Sequence, residues 1–204
     1  MTRSRRLLLA AAAALAATGL LVGCAGPNDA LAEQYRAGTG ANYIAGDGTL
    51  LEVAAADRGE PIEFGGVNEF DEQMQSTDFA GEVLVVNFWY AGCAPCRAEA
   101  PDLKALDEKH GGNGAQFIGV NVFDQADTAR TFSTEFGIEY PSIMDAVAGD
   151  AKLAFAGEVP PKAVPTTLVL DKEHRVAARI VGQIQDRSIL DTLIRDAIAE
   201  PTAP

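Results

Sequence analysis

Cys93-Ala94-Pro95-Cys96 places two thiols two residues apart, while the chain's third cysteine, Cys24, stands far away in a different kind of sequence. A thiol becomes a nucleophile and a metal ligand only as the thiolate. Cys93 falls where an apolar, β-branched run (82–90, EVLVVNFWY) gives way to a stretch with helical spacing (94–110). The first turn of a helix has unpaired N–H groups and partial positive charge, and both favour the thiolate. Pro95 suits that turn because it has no N–H to leave unpaired and its φ is preset. Cys96, three residues on, points back toward Cys93 within disulfide reach. One sulfur can then attack a disulfide and the other can resolve the mixed disulfide. Competing readings are weaker. A zinc site needs two more ligands, and the two histidines, His110 and His174, carry no C-x-x-C or H-x-x-x-H partner motif. Copper delivery would want His or Met clustered beside the thiols. An inert disulfide closing so small a loop would stabilise little. The expectation is therefore no metal and no cofactor beyond a redox-active Cys93–Cys96 pair.

These residues need a scaffold, and the patterning suggests one. The run at 82–90 is nearly continuous rather than alternating, the mark of a strand buried on both faces. Residues 94–110 place Cys96, Ala100, Leu103 and Leu106 on one helical face, and Gly111-Gly112 stop the helix. A second buried strand is expected at 115–123, and a helix from Asp127 to Phe136 with Ala129, Phe132 and Phe136 on one face and Gly137 ending it. Further expectations are a short strand at PSIMD, a helical turn from Asp150 to Phe155, a hairpin from TTLVLD and RVAARIVG, and a closing helix from Asp186 to Ala199. That helix should turn Ile189, Leu190, Leu193, Ile194 and Ala197 inward. Upstream, PIEF and EQMQ read as short strands, and 43–53 as a small hairpin around Asp47-Gly48. Strand–helix–strand units imply parallel pairing, and the final hairpin adds antiparallel strands. The fold class is α/β: a mixed central sheet flanked by helices, with an N-terminal β extension and a central insertion. No internal repeat is visible.

The N-terminus supplies an address. Arg3, Arg5 and Arg6 precede an uncharged Leu/Ala-rich stretch from Leu7 to Gly23 that ends in Leu-Val-Gly-Cys24. A basic segment followed by a short apolar one reads as an export signal, and it falls a little short of the about 20 residues a spanning helix needs. Small residues before Cys24 resemble the lipobox of bacterial lipoproteins, which implies cleavage before Cys24 and acylation of its thiol. The alternative is an uncleaved anchor. Loss of residues 1–23 removes three arginines and no acid, taking the formal charge from −13 to −16. So acidic a body speaks against nucleic acid, which rewards clustered Lys and Arg, and attachment to a membrane would come from the lipid. The organisation expected is a signal (1–23), a lipid-anchored tether (24–60), one domain (61–199) and a short tail (200–204).

Asn87-Phe88-Trp89, the C-A-P-C motif and Pro101 resemble the active-site strand and helix of thioredoxin-like proteins, and Val164-Pro165-Thr166 resembles their cis-proline loop. With Arg97-Ala98-Glu99-Ala100-Pro101, the signal and the 124–158 insertion, the match narrows to the membrane-anchored, extracytoplasmic TlpA-like or ResA-like thiol-disulfide oxidoreductases. The resemblance implies a thioredoxin-like fold over about 61–199. It implies Cys93 as nucleophile, Cys96 as resolving thiol and Glu99 as the acid that tunes them. Glu99 lies on the helix face of Leu103 and Leu106, hence on the buried side. The competing picture is a surface Glu99 paired with Arg97. The acid that thioredoxin buries on the preceding strand is replaced here by Asn87, which cannot take a proton. Val164 and a cis Pro165 would meet substrate, with Trp89 packed beside them; Ala94, Pro95, Asn87 and Pro101 would support the site, Pro101 by kinking the helix. An ordinary trans Pro165 is the alternative. Most relatives place a Trp just before the first Cys, where this chain has Gly92. The family suggests protein disulfides as substrates, apocytochrome c among them, and a membrane electron donor of the CcdA or DsbD type. The reverse activity, disulfide formation, is the competing direction; Ala94-Pro95 lacks the histidine of strongly oxidising relatives, which favours reduction.

Overall fold

The computed structural model describes residues 43–44, 49–160 and 162–201. Cys24, the export signal and the turn at Asp47-Gly48 lie outside the described residues. A seven-stranded mixed sheet is built from β1 (Tyr43–Ile44), β2 (Leu50–Glu52), β5 (Val83–Trp89), β6 (Ala115–Asn121), β7 (Ser142–Met144), β8 (Thr166–Leu170) and β9 (Val176–Val181). Its order is β1-β2-β9-β8-β5-β6-β7. β3 (Gly65–Val67) and β4 (Gln73–Gln75) form a separate two-stranded sheet. Four α-helices, α1 (Ala94–His110), α2 (Ala126–Phe136), α3 (Asp150–Ala154) and α4 (Arg187–Ala199), and two 3-10 turns, Ala55–Asp57 and Ser76–Phe79, complete the described fold.

β5 explains the continuous apolar run that encodes it. All seven of its residues are buried, and they alternate between two cores. Val83 and Val85 join the cluster under α1 and α4, with Leu103, Leu106, Leu190 and Ile194. Leu84, Val86 and Phe88 join the opposite cluster, with Ile118, Phe155 and Leu168. β5 pairs β6 in parallel across the α1 crossover and β8 antiparallel on its other side. β6 pairs β7 in parallel across α2, and β8 and β9 form the antiparallel hairpin the sequence suggests.

The N-terminal extension adds strands to one edge of the sheet and bridges the other. β1–β2 is a hairpin, and β2 pairs antiparallel with β9, so the central sheet begins upstream of residue 61. Asn68 bridges Ile143 of β7 at the other end of the sheet. An edge strand offers unpaired N–H and C=O groups to other chains, and a covering segment removes that template. Arg58 clamps the extension to the body: its guanidinium donates to Asp171 at 2.9 Å and to Glu200 at 2.5 and 2.6 Å.

Two expectations need correction. PIEF is not a strand. Ile62 N–H donates to the His174 carbonyl and Phe64 N–H to the Ser76 hydroxyl, so the segment is tied down without joining a ladder, and β3 starts at Gly65. Ile189 is 41% exposed rather than inward. It sits in the first turn of α4, one residue before Leu190 and so rotated about 100° from it, where Leu190, Leu193, Ile194 and Ala197 fill the buried stripe.

Candidate active site

Cys93 caps the N-terminus of α1. Its side chain accepts a hydrogen bond from the Cys96 N–H at 3.2 Å, and its carbonyl accepts from Arg97 N–H, starting the helix. Ala94 and Pro95 fill the first turn, so Pro95 costs no helical hydrogen bond. Cys93 and Cys96 are joined in a disulfide and both are buried. The sulfur of a thiolate at position 93 would keep its N–H donor and the helix terminus behind it, the two features that lower a thiol's pKa. Pro101 lies inside α1, one turn beyond Arg97, whose carbonyl consequently receives no bond from position 101.

Glu99 is fully buried, on the same helix face as Ala100 and Leu103. The picture of a surface Glu99 paired with Arg97 is overturned: Arg97 pairs with Glu135 at 2.6 Å and lies over the Phe136 ring. Asn87 Nδ2 donates to Glu99 Oε1 at 3.0 Å, and the backbone N–H of Ile184 donates to Oε2 at 3.0 Å. Burial pushes the Glu99 carboxyl up to about 7; the Ile184 and Asn87 bonds pull it back only in part. Neither donor carries a charge, so the lost water is compensated only in part. Asn87 also donates to the Thr167 hydroxyl, which fixes the amide between strand β8 and helix α1. A small cavity lined by Asn87, Cys96, Tyr140 and Ser142 lies beneath the helix.

The Val164–Pro165 peptide bond is cis, which rules out the trans alternative. The Val164 carbonyl oxygen lies 4.0 Å from Cys93 Sγ, so the loop borders the reactive sulfur. Trp89, grouped with the substrate-facing residues, instead faces inward at 4% exposure. Its ring packs on Phe132 and its Nε1–H donates to the Ser142 hydroxyl at 3.2 Å. It packs in one cluster with Cys93 and Cys96 and supports the pair from beneath. The reason is pleat: Asn87 and Trp89 share the face of β5 that α1 covers.

Sequence reasoning did not single out Thr167, Ile184 or Asp124. Thr167 could have been found, because it stands opposite Asn87 once β5 and β8 are paired. Ile184 acts through its backbone, which leaves no side-chain signature. Asp124 accepts from the Ala91 N–H at 2.6 Å and from Asn121 at 2.9 Å, tying the segment before Cys93 to the end of β6. Beside it, the Tyr90 and Phe123 rings pack at a tilt with their centroids 5.6 Å apart. A Cβ at position 92 would lie 3.5 Å from the Tyr90 ring, at ordinary contact distance.

The model of the family described as Redoxin matches residues 58–194. The thiol-disulfide oxidoreductase ResA of Bacillus subtilis is 25% identical over 120 residues, covering 59% of this chain and 64% of the relative. The thiol:disulfide interchange protein HelX of Rhodobacter capsulatus is 36% identical over 106 residues, covering 52% and 56%. The chain thus spans less than two thirds of the length of these relatives. Among solved structures, a secreted thiol-disulfide isomerase from Corynebacterium glutamicum is similar with a TM-score of 0.66 and 33% identity, covering 78% of this chain and 98% of that one. A DsbF homologue from Corynebacterium diphtheriae gives 0.65 and 31%, covering 76% and 96%.

Proposed function

The chain belongs to the Redoxin family, and from its site we propose that it is an extracytoplasmic protein thiol-disulfide oxidoreductase working in the reducing direction. The observation that carries this reading is the Cys pair at a helix N-terminus with a buried Glu99 three residues beyond it, its carboxyl pushed up to about 7. In the dithiol form, the Cys93 thiolate attacks one sulfur of a substrate disulfide. A mixed disulfide forms and the first substrate thiolate leaves, taking up a proton. Glu99, ionised in part at neutral pH, accepts the Cys96 proton. The Cys96 thiolate then attacks Cys93 Sγ and expels the second substrate thiolate. Two electrons pass to the substrate, and the pair ends as the Cys93–Cys96 disulfide. Val164 and Pro165 align the substrate segment, and Asn87 holds Glu99 in place.

Electrons must be resupplied from outside, since the cycle consumes the dithiol. A membrane thiol-relay protein of the CcdA or DsbD type fits this need, and a C-x-x-C segment of apocytochrome c is a fitting substrate. The names of ResA and HelX support the activity class. The lipobox-like sequence supports attachment to the outer face of the cytoplasmic membrane through acylated Cys24. The test is the reduction potential of the Cys93–Cys96 pair in the full chain, with a Cys96→Ser control. A value near about −270 mV or lower is expected for a reductase. A value approaching about −120 mV would make the protein a disulfide donor instead.

A further inference from the structure

Cys93 Sγ is bordered by the Val164 carbonyl, and the residue as a whole is only 3% exposed. A substrate sulfur can therefore reach it only by lying against its neighbours. Val164 belongs at the same time to a second feature. It lines an apolar groove of 490 Å³ together with Leu153, Val159, Phe88 and Val122, and Lys152 is the one charged residue lining it among the described residues. Leu153, one of its lining residues, is 72% exposed. The groove lies at the carboxyl ends of β5 and β6, where open α/β sheets receive their ligands. Nothing in the redox chemistry requires it: the Cys pair, Glu99 and Asn87 all lie on the α1 side of the sheet, whereas Phe88 faces the opposite core.

We propose that this groove is a specificity subsite for the substrate polypeptide itself, taking a large apolar side chain two residues from the reacting cysteine. The proposal rests on the reading of Cys93 as the sulfur that bonds to substrate. A segment extended along Val164 points every second side chain to the same face. When its cysteine reaches Cys93, the side chains two positions away are delivered to the surface on which the groove opens. A Leu or Phe there removes apolar area from water on both partners, while a Gly brings none. The chemistry at the sulfur is indifferent to this residue, so the groove discriminates among disulfides that are equally reactive.

The test uses full-length Cys96→Ser protein carrying glutathione on Cys93, exchanged against cysteine peptides identical except for Leu, Phe or Gly two residues from the cysteine. The exchange swaps one thiol for another on Cys93, so its equilibrium constant reads contact alone and is independent of the direction in which the protein works. The Leu and Phe peptides are expected to exceed the Gly peptide about tenfold. Leu153→Asp and, separately, Ala156→Glu should bring that ratio to near one; both positions are exposed, and the ratio cancels any general loss. Equal constants for the three peptides would overturn the subsite, as would a ratio that both variants leave intact. If the ratio holds but the dithiol protein fails to reduce the same peptides as disulfides, the reductase reading falls and the groove stands.

Discussion

Asp171 and Glu99 are both buried carboxylates, and the fold treats them in opposite ways. Burial alone pushes each upward. At Asp171 that push is outweighed by the Arg175 backbone N–H together with the guanidinium groups of Arg58 and Arg175, and the acid ends below its ordinary value. At Glu99 the partners are an amide and a backbone N–H, and the acid ends at about 7. Asp171 has cations among its donors and Glu99 has none, and Glu99 is the more deeply buried of the two. Paired with cations, a buried carboxylate becomes a fixed clamp that holds the N-terminal extension and the end of α4 to the body. Given neutral donors, it stays able to gain and lose a proton where the thiols work.

The comparison can be broken from either side. The largest effect is expected at the clamp. Arg58→Ala leaves Asp171 buried with half its cationic partners and frees Glu200. It should lower stability by about 4 kcal/mol, read from the urea midpoint. Acid should weaken the wild type in the same way. Asp171 is depressed in the folded state, so its contribution is present above its unfolded value and is lost as pH falls through the lower folded one.

Glu99 has the opposite sign. Its folded value is raised, so the stability of the oxidised protein is complete below its ordinary value of 4.5 and is lost as pH rises through about 7. The loss should be on the order of 3 kcal/mol. Glu99→Gln should abolish this slope in denaturant midpoints taken from pH 5 to 8, because the amide does not titrate; Asn87 can turn its carbonyl toward the new NH2 group. A slope that survives in Glu99→Gln would assign it to another group.

Asn87→Asp sharpens the point by placing a second acid against the first. The two carboxyls would titrate as a coupled pair, with the upper apparent value raised by about one unit over wild type. Carbon-detected NMR of the Glu99 carboxyl reads this directly. The smallest effect is expected outside both sites. A side chain at Gly92 meets the Tyr90 ring at ordinary contact distance. Gly92→Trp should therefore change stability by less than about 1 kcal/mol in a thermal melt.

Local signals were the legible ones. The helix cap at Cys93, the buried character of β5, the placement of Glu99 on the buried face of α1 and the cis peptide before Pro165 all follow from residues adjacent in sequence or from a short motif. What escaped is set by distant partners. PIEF alternates like a strand, yet its N–H groups find a loop carbonyl and a serine hydroxyl. Trp89 stands next to the motif, and its burial is set by the same strand parity that buries Asn87 under α1. The Arg58–Asp171–Glu200 clamp joins residues more than a hundred positions apart, and no spacing rule in the chain announces it.

The central claim is that Glu99 exchanges protons with the Cys pair. The most direct measurement is the rate of Cys93 alkylation by iodoacetamide against pH, in reduced full-length protein and in its Glu99→Gln variant. The account predicts a wild-type profile with a step near pH 7 that disappears in the variant, leaving a single thiol titration. Superimposable profiles would contradict it and leave Glu99 as a buried acid without a part in the chemistry.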